Sequence, residues 1–323
     1  MQHRRLGRTE LQVSAISLGA ARGADDQPSQ FIDVVHAALD AGVNLIDTAE
    51  SYGESEMVLG EALRTHHHDD NNAILCTKYR PYDSHAADAK WIGSSTALKA
   101  SVDASLQRLG RDHLDILLGH GIRSLDTLQR FTDDGCLDAM RELQTAGKVR
   151  HIGLSELSEA DGRHAILRKA IPTGAFDVVM LTLNLLLQTA ADSVLPLCTA
   201  ADTGVIVMMP LNQASKSSGL VSKPAALECV KRHIAAGNLP DGPPYNQADL
   251  FDFLDPLSVP EAAIRYVLSH PVATCCVGMR TRERVATNLQ ALEQRDELPA
   301  AGLDDNRLSQ ARQLFGRIEA QER

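Results

Sequence analysis

The chain is 323 residues long, enough for two ordinary domains or one α/β barrel, and 42 acidic against 32 basic residues give a formal charge of -10. Hydrophobic residues at 44% and charged residues at 23% exclude collagen-like, coiled-coil and wholly disordered chains, and the acidic surplus removes any general attraction to nucleic acid or anionic lipid. No window reaches the roughly 18 apolar residues of a membrane helix, the N-terminus has no apolar leader core, and scattered cysteines without a CxxC pair or zinc-type spacing fit a reducing cytoplasm.

In chain order, short β-branched-rich runs lie at residues 15–18, 43–47, 73–77, 114–119, 149–154, 176–183, 204–209 and 274–278. Between most of them lie stretches of helical periodicity, among them FIDVVHAALDAG, SEMVLGEALRTH, STALKASVDASLQRLG and LDAMRELQTAGK, several closed by Gly or Lys. The runs are apolar almost throughout, as strands buried on both faces are, and strand followed by helix in repetition means a parallel sheet. Eight such units point to an α/β fold of the (β/α)8 TIM barrel type, occupying residues 1–323 as one domain. The opening segment, turning at Leu6-Gly7-Arg8, reads as an N-terminal hairpin on the barrel floor. After the seventh strand a long loop, residues 210–256, is too rich in Gly, Pro, Ser and Asn for a single regular element and is expected to overhang the ligand face. The tract His66-His67-His68-Asp69-Asp70 reads as a solvated connection at the opposite end and not as a metal site, and residues 304–323 as a polar helix packed outside.

In such a barrel the chemistry gathers at the C-terminal ends of the strands. There the sequence places Asp47 at the end of the second run, Tyr52 in the loop that follows, Lys78 after the third and His120 after the fourth. Each alone has an ordinary explanation: Asp47 as a helix cap, Tyr52 as a packing residue, Lys78 and His120 as exposed strand exits. Together they make a coherent set. A phenol with a pKa of about 10 serves as an acid–base group when a nearby cation stabilises its phenolate. Lys78 supplies that cation, Asp47 keeps it ionised, and a neutral His120 orients a carbonyl oxygen. The set lacks a nucleophile and a metal cluster, which favours hydride transfer with a bound cofactor over hydrolysis.

The stretches LGRTELQVSAISLG, NLIDTAESYGESEMVLGEAL, ILCTK, LDILLGH, GKVRHIGLSE and VGMRTRERVATNL follow one another across nearly the whole chain. In that order they resemble the motifs of the aldo-keto reductase superfamily, and the first two look most similar to its aldose dehydrogenase branch, of galactose and fucose type. The resemblance implies a barrel that binds NADP or NAD without a GxGxxG fingerprint, and none follows a strand here. It implies Tyr52 as general acid/base, Lys78 and Asp47 as its pKa-lowering pair, and His120 as carbonyl orienter. At the nicotinamide the family's Ser-Asn pair stands as Ser155-Glu156, its Gln as Met180 and its stacking aromatic as Met208. An ionised Glu156 accepts from an amide NH2 but cannot donate to its carbonyl, and Met208 replaces π-stacking with dispersion.

For the pyrophosphate and adenosine, the resemblance implies Gly278, Met279, Arg280, Thr281 and Arg284, with Asn288 further along the same helix. Free N–H groups at a helix start and the charges of Arg280, Arg282 and Arg284 suit phosphate, and the three arginines tilt the expectation toward NADP over NAD. Asn184 matches a frequent family Asn, with a structural role equally open. Tyr79, Tyr82 and Trp91 concentrate aromatic surface, only 4% of the chain, beside Lys78 at the mouth, with core packing of Trp91 the other reading. The expected activity is an NAD(P)-dependent interconversion of an aldehyde, ketone or aldose and its alcohol or lactone, on a small-molecule substrate without nucleic-acid or membrane partners. The alternative is a catalytically weak, cofactor-binding regulatory or scaffold barrel, motivated by Glu156, Met180 and Met208.

Overall fold

The computed structural model describes residues 1–21, 27–67, 73–84, 88–156, 161–212, 219–293 and 302–318. The chain opens with an antiparallel pair, β1 (His3–Arg5) and β2 (Gln12–Ser14), joined through a 3-10 turn at Gly7–Thr9. Eight parallel strands then close a barrel in sequence order: β3 (Ile16–Gly19), β4 (Leu45–Asp47), β5 (Ile74–Tyr79), β6 (Leu114–Ile122), β7 (Val149–Glu156), β8 (Val178–Thr182), β9 (Gly204–Met208) and β10 (Thr274–Gly278), the last pairing with β3. Each of the eight apolar runs is a strand, and the fold is the expected (β/α)8 barrel.

The helices follow the same order. They are α1 (Pro28–Asp40), α2 (Ser55–Thr65), α3 (Ser95–Leu109), α4 (Leu125–Asp133), α5 (Cys136–Thr145) and α6 (Ala165–Ala170), then α7 (Thr189–Ser193), α8 (Leu195–Ala201), α9 (Lys223–Ala235), α10 (Val259–Leu268), α11 (Arg282–Leu289) and α12 (Asp305–Phe315). Their starts are capped as the residue types dictate: Ser94, Ser222 and Ser258 accept from the third backbone N–H of α3, α9 and α10. None of the described helices is long and apolar enough to cross a membrane.

Strand alternation divides the core in two. Ile46, Leu75, Leu117, Leu154 and Val179 pack outward with the helices, whereas Leu45, Cys76, Ile116, Leu118, Met180 and Ile206 fill the barrel. Leu6 and Val13 of the hairpin belong to this inner cluster, so the hairpin closes the barrel at the N-terminal ends of the strands. The turn needs its glycine: Gly7 has φ +49°, and a Cβ there would lie 2.3 Å from the Gly204 nitrogen at the start of β9.

The stretch after β9 is not one regular element: it holds the 13-residue helix α9, which Ser222 caps and whose first turn takes Pro224, where no N–H is required, and a 3-10 turn at Asp252–Leu254; residues 213–218 lie outside the described part. Of the histidine tract, His66 pairs with Asp40 at 3.0 Å and packs against the His36 ring, while His68, Asp69 and Asp70 lie outside the described residues. Residues 304–318 hold the expected helix α12, whose Phe315 stacks on Phe251; the last five residues are outside the described part. Since Leu6 is fully buried in the inner cluster, Leu6→Ala is expected to lower unfolding free energy by about 2–5 kcal/mol in urea titration. A loss well under ~1 kcal/mol would show that the hairpin is not part of the folded core.

Candidate active site

The inward parity that places Leu45 and Cys76 inside the barrel also brings Asp47 and Lys78 inside at the C-terminal ends of β4 and β5. Lys78 Nζ lies 2.7 Å from each Asp47 carboxylate oxygen, donates to the Thr48 carbonyl at 2.7 Å and reaches the Tyr52 hydroxyl at 3.3 Å. Three acceptor groups surround an ammonium with three donors, which is what permits its burial at 1% exposure. Burial alone would pull Lys78 down, but the charge of Asp47, with Tyr52 and Cys76 nearby, outweighs it and holds the lysine protonated above its usual range. Asp47 is pushed up by burial, opposed by Lys78.

Tyr52 sits in a tight turn between β4 and α2, where its N–H donates to Ala49 O and its own carbonyl accepts from Ser55 N, both at 3.0 Å. Ser55 in turn bonds Thr48 and the Ala20 carbonyl, tying the loop to β3. The Tyr52 ring meets His120 edge-on, 5.6 Å between centroids at 85°, and His120 Nδ1 lies 3.3 Å from Ser51 Oγ. Strand β6 is irregular at this point: its register shifts between His120 and Ile122, with Gly121 at φ +65°. Burial pushes the Tyr52 phenol above its usual range, Lys78 pulls it back and Asp47 pushes it further up. The net direction is upward, against the expected lowering: the Lys78 charge offsets only part of the cost of burying a phenolate, and the resting group is a protonated phenol.

The structure thus assembles Asp47, Tyr52, Lys78 and His120 at one end of the barrel. It separates the residues expected at the cofactor. Ser155 is buried with inward parity at the end of β7 and Met208, at the end of β9, is partly exposed beside the inner cluster. Glu156 has the opposite parity and turns outward: Oε2 pairs with His164 Nδ1 at 2.7 Å and Oε1 accepts from Thr182 N at 2.8 Å. Both oxygens of Glu156 are engaged outside the barrel, which corrects its expected place at an amide. Met180 is 1% exposed in the inner cluster and stands beside Ser155 in the β7–β8 register. Asn184 has the structural role, accepting from the N–H groups of Leu186 and Leu187 and donating to Met209 O.

At β10 and α11 the outcome is also mixed. Gly278 is exposed, and a Cβ built on it would enter open space. Thr281 caps α11 by accepting from Arg284 N, and Arg280, Arg282 and Arg284 are exposed around this helix start. Met279, by contrast, is 1% exposed in the helix-facing core, and Asn288 is buried on the inner side of α11. An open glycine, a capped helix start and three exposed guanidiniums fit a pyrophosphate. Ser155 and Met208 fit the other end of a dinucleotide.

Of the aromatics, Tyr79 is buried against the helices instead of lining the mouth. Tyr82 and Trp91 form an edge-to-face pair outside β5, with Arg130 over the Trp91 ring and the Trp91 N–H donating to Asp134 at 2.7 Å. Ser51 and the Thr48 carbonyl were not read from sequence; Ser51 adjoins Tyr52 and had a positional signal, whereas a main-chain acceptor has none. Glu56, 1% exposed on α2, was also unread: it accepts from Thr77 of β5 at 2.5 Å and pairs with Arg108 of α3 at 2.6 Å. No cluster of three or more His, Cys, Asp or Glu able to hold a metal occurs among the described residues.

The Aldo/keto reductase family model matches residues 15–301. Uncharacterized oxidoreductase YqkF of Bacillus subtilis (strain 168) is 26% identical over 312 residues, covering 91% of this chain and 92% of that protein. L-galactose dehydrogenase of Arabidopsis thaliana is 28% identical over 322 residues, covering 97% and 93%, which agrees with the resemblance to the aldose dehydrogenase branch. Among solved structures, the holo form of aldo-keto reductase AKR11C1 from Bacillus halodurans matches with a TM-score of 0.74 at 22% identity, over 100% of this chain and 98% of that one, and supports the fold. The barrel, the order of its motifs and the span of the family match make this chain a member of the aldo/keto reductase family, whose enzymes are NAD(P)H-dependent oxidoreductases.

Proposed function

We propose that the protein interconverts a small carbonyl compound, an aldehyde, ketone or aldose, and its alcohol or lactone, with Tyr52 as general acid/base. The observation that carries this reading is the Tyr52 hydroxyl 3.3 Å from an ammonium that is itself paired with Asp47 at 2.7 Å, beside His120. Ser155, Met208, Gly278 and the start of α11 would hold a nicotinamide dinucleotide, whose chemistry is to supply or accept hydride. The protonated phenol donates its proton to the carbonyl oxygen as that oxygen gains negative charge, and Lys78 stabilises the phenolate left behind. A neutral His120 orients the oxygen by hydrogen bonding. In the reverse direction ionised Tyr52 takes the hydroxyl proton, and since burial raises its pKa, the competent fraction grows as pH rises. Its six free, buried cysteines accord with a reducing cytoplasm.

A regulatory or scaffold barrel is the second reading, favoured by the engagement of Glu156 away from the mouth. The assembled Asp47, Tyr52, Lys78 and His120 favour the enzyme, because binding alone requires no proton donor held against an ammonium.

Tyr52→Phe is expected to lower turnover of a panel of aldehydes and aldoses by about 10²-fold or more. NADPH binding, followed by cofactor fluorescence, is expected to persist, and retained activity would remove Tyr52 from its role. The ion pair has a separate thermodynamic consequence. Asp47→Asn leaves a buried ammonium without its counter-charge and is expected to cost about 3–5 kcal/mol in urea unfolding, with Asp47→Asn/Lys78→Met more stable than Asp47→Asn alone; a double variant as unstable as the sum of the singles would refute the coupling. For the cofactor, Arg284→Gln is expected to lower the NADPH-to-NADH ratio of kcat/KM by about tenfold. An unchanged ratio would favour NAD.

A further inference from the structure

Just past the end of β5 stands a guanidinium with a buried donor nitrogen that no described residue satisfies. Arg80 follows Lys78 by two residues and is the first residue beyond β5, beside Glu50 of the loop that carries Tyr52. Its backbone N–H donates to Glu50 Oε1 at 2.8 Å and its Nε to the Tyr82 carbonyl at 3.2 Å. Its Nη1 is buried and makes no hydrogen bond among the described residues. Glu50 bonds the main chain of Arg80 and the hydroxyl of Ser101 and, among the described residues, makes no hydrogen bond to the guanidinium. Buried donors on a cation are costly to leave unmade, and a planar fork of five N–H groups matches the paired oxygens of a carboxylate or phosphate.

A second guanidinium stands close by. Arg123, just beyond β6, lies 4.2 Å from the centroid of the Tyr82 ring, so the same residue is held by Arg80 at its carbonyl and by Arg123 at its ring. This gathers positive charge beside the strands that carry Lys78 and His120, in a chain whose formal charge is -10. The cluster is separate from the arginines at α11. Around the barrel, β3 and β4 stand between β10 and β5, so this charge is set apart from the arginines at α11.

We propose that Arg80, backed by Arg123, binds an anionic group of the carbonyl substrate, which makes the substrate class a carboxylate- or phosphate-bearing aldehyde, ketone or sugar. This rests on the proposed oxidoreductase reading of the same site.

The test compares kcat/KM for 4-formylbenzoate, 4-formylphenyl phosphate and the neutral 4-nitrobenzaldehyde with NADPH. The wild type is expected to prefer a charged aldehyde by about tenfold or more, with the preferred one distinguishing carboxylate from phosphate. In Arg80→Met the preference is expected to fall about tenfold, mainly through KM; Arg80→Lys is expected to keep part of it, and added salt to weaken it. Equal kcat/KM for charged and neutral aldehydes, or a preference that survives Arg80→Met, would overturn the anion site and leave the reductase reading intact. If none of the three aldehydes is turned over, binding decides the anion site, and the panel that includes aldoses decides the oxidoreductase reading: saturation-transfer NMR with 4-hydroxymethylbenzoate and 4-nitrobenzyl alcohol supports the anion site if carboxylate binding depends on Arg80 and overturns it otherwise.

Discussion

An ammonium inside a barrel is tolerable only when each of its N–H bonds meets an acceptor and its charge meets an opposite one. Lys78 imposes that condition, and the site follows from meeting it. Asp47 must end β4 pointing inward, the Thr48 carbonyl must turn toward the lysine, and the loop beyond must bring the Tyr52 hydroxyl within reach. Because one of the acceptors is main chain, the path of the loop is constrained along with its side chains. Glu56 serves the same end from outside, holding Thr77, the neighbour of Lys78, to Arg108 across α2 and α3. The catalytic proposal and the rigidity of this corner therefore share one electrostatic cause.

The opposite wall is organised by a second buried charge. Glu156 stands where the family resemblance leads one to expect an amide, and its carboxylate has been drawn outward by His164, which continues to Thr189 at 3.0 Å. This chain of contacts joins the ends of β7 and β8 to α6 and α7 and leaves Ser155 alone of the pair facing the barrel. Burial pushes Glu156 upward and His164 opposes it. The departure from the family pattern is thus absorbed into the frame of the barrel, and the cofactor end is left to fewer side chains.

Residues around the mouth divide by function as well as by position. Arg280, Arg282 and Arg284 surround an exposed helix start, where anion binding needs only charge and free N–H groups. Arg80 stands just past β5, beside Glu50 of the loop that carries Tyr52, with a buried donor that no described residue satisfies. Surface arginines of the first kind are solvated whether or not a ligand is bound, whereas a buried fork reports the shape of what it receives.

Much of the architecture was legible in the chain itself. Runs of buried β-branched residues, alternating with amphipathic helices, carry the barrel because a strand covered on both faces has to be apolar throughout. Asp47, Tyr52, Lys78 and His120 were legible because strand ends are where a barrel exposes chemistry and because those types complement one another. What could not be read was direction. Glu156 against Ser155, Met279 against Gly278 and Tyr79 against Lys78 are adjacent residues on opposite faces, and one step of register decides which of them meets a ligand. Glu56 with Arg108, or Arg265 buried on α10 with carbonyls of Glu293 and Gly302, join elements far apart in sequence, so no local pattern announces them. Periodicity and residue chemistry determined the fold and the proton-transfer set, since both are local properties; the side to which each residue turns, and the partner that takes up its charge, were decided by closure of the barrel.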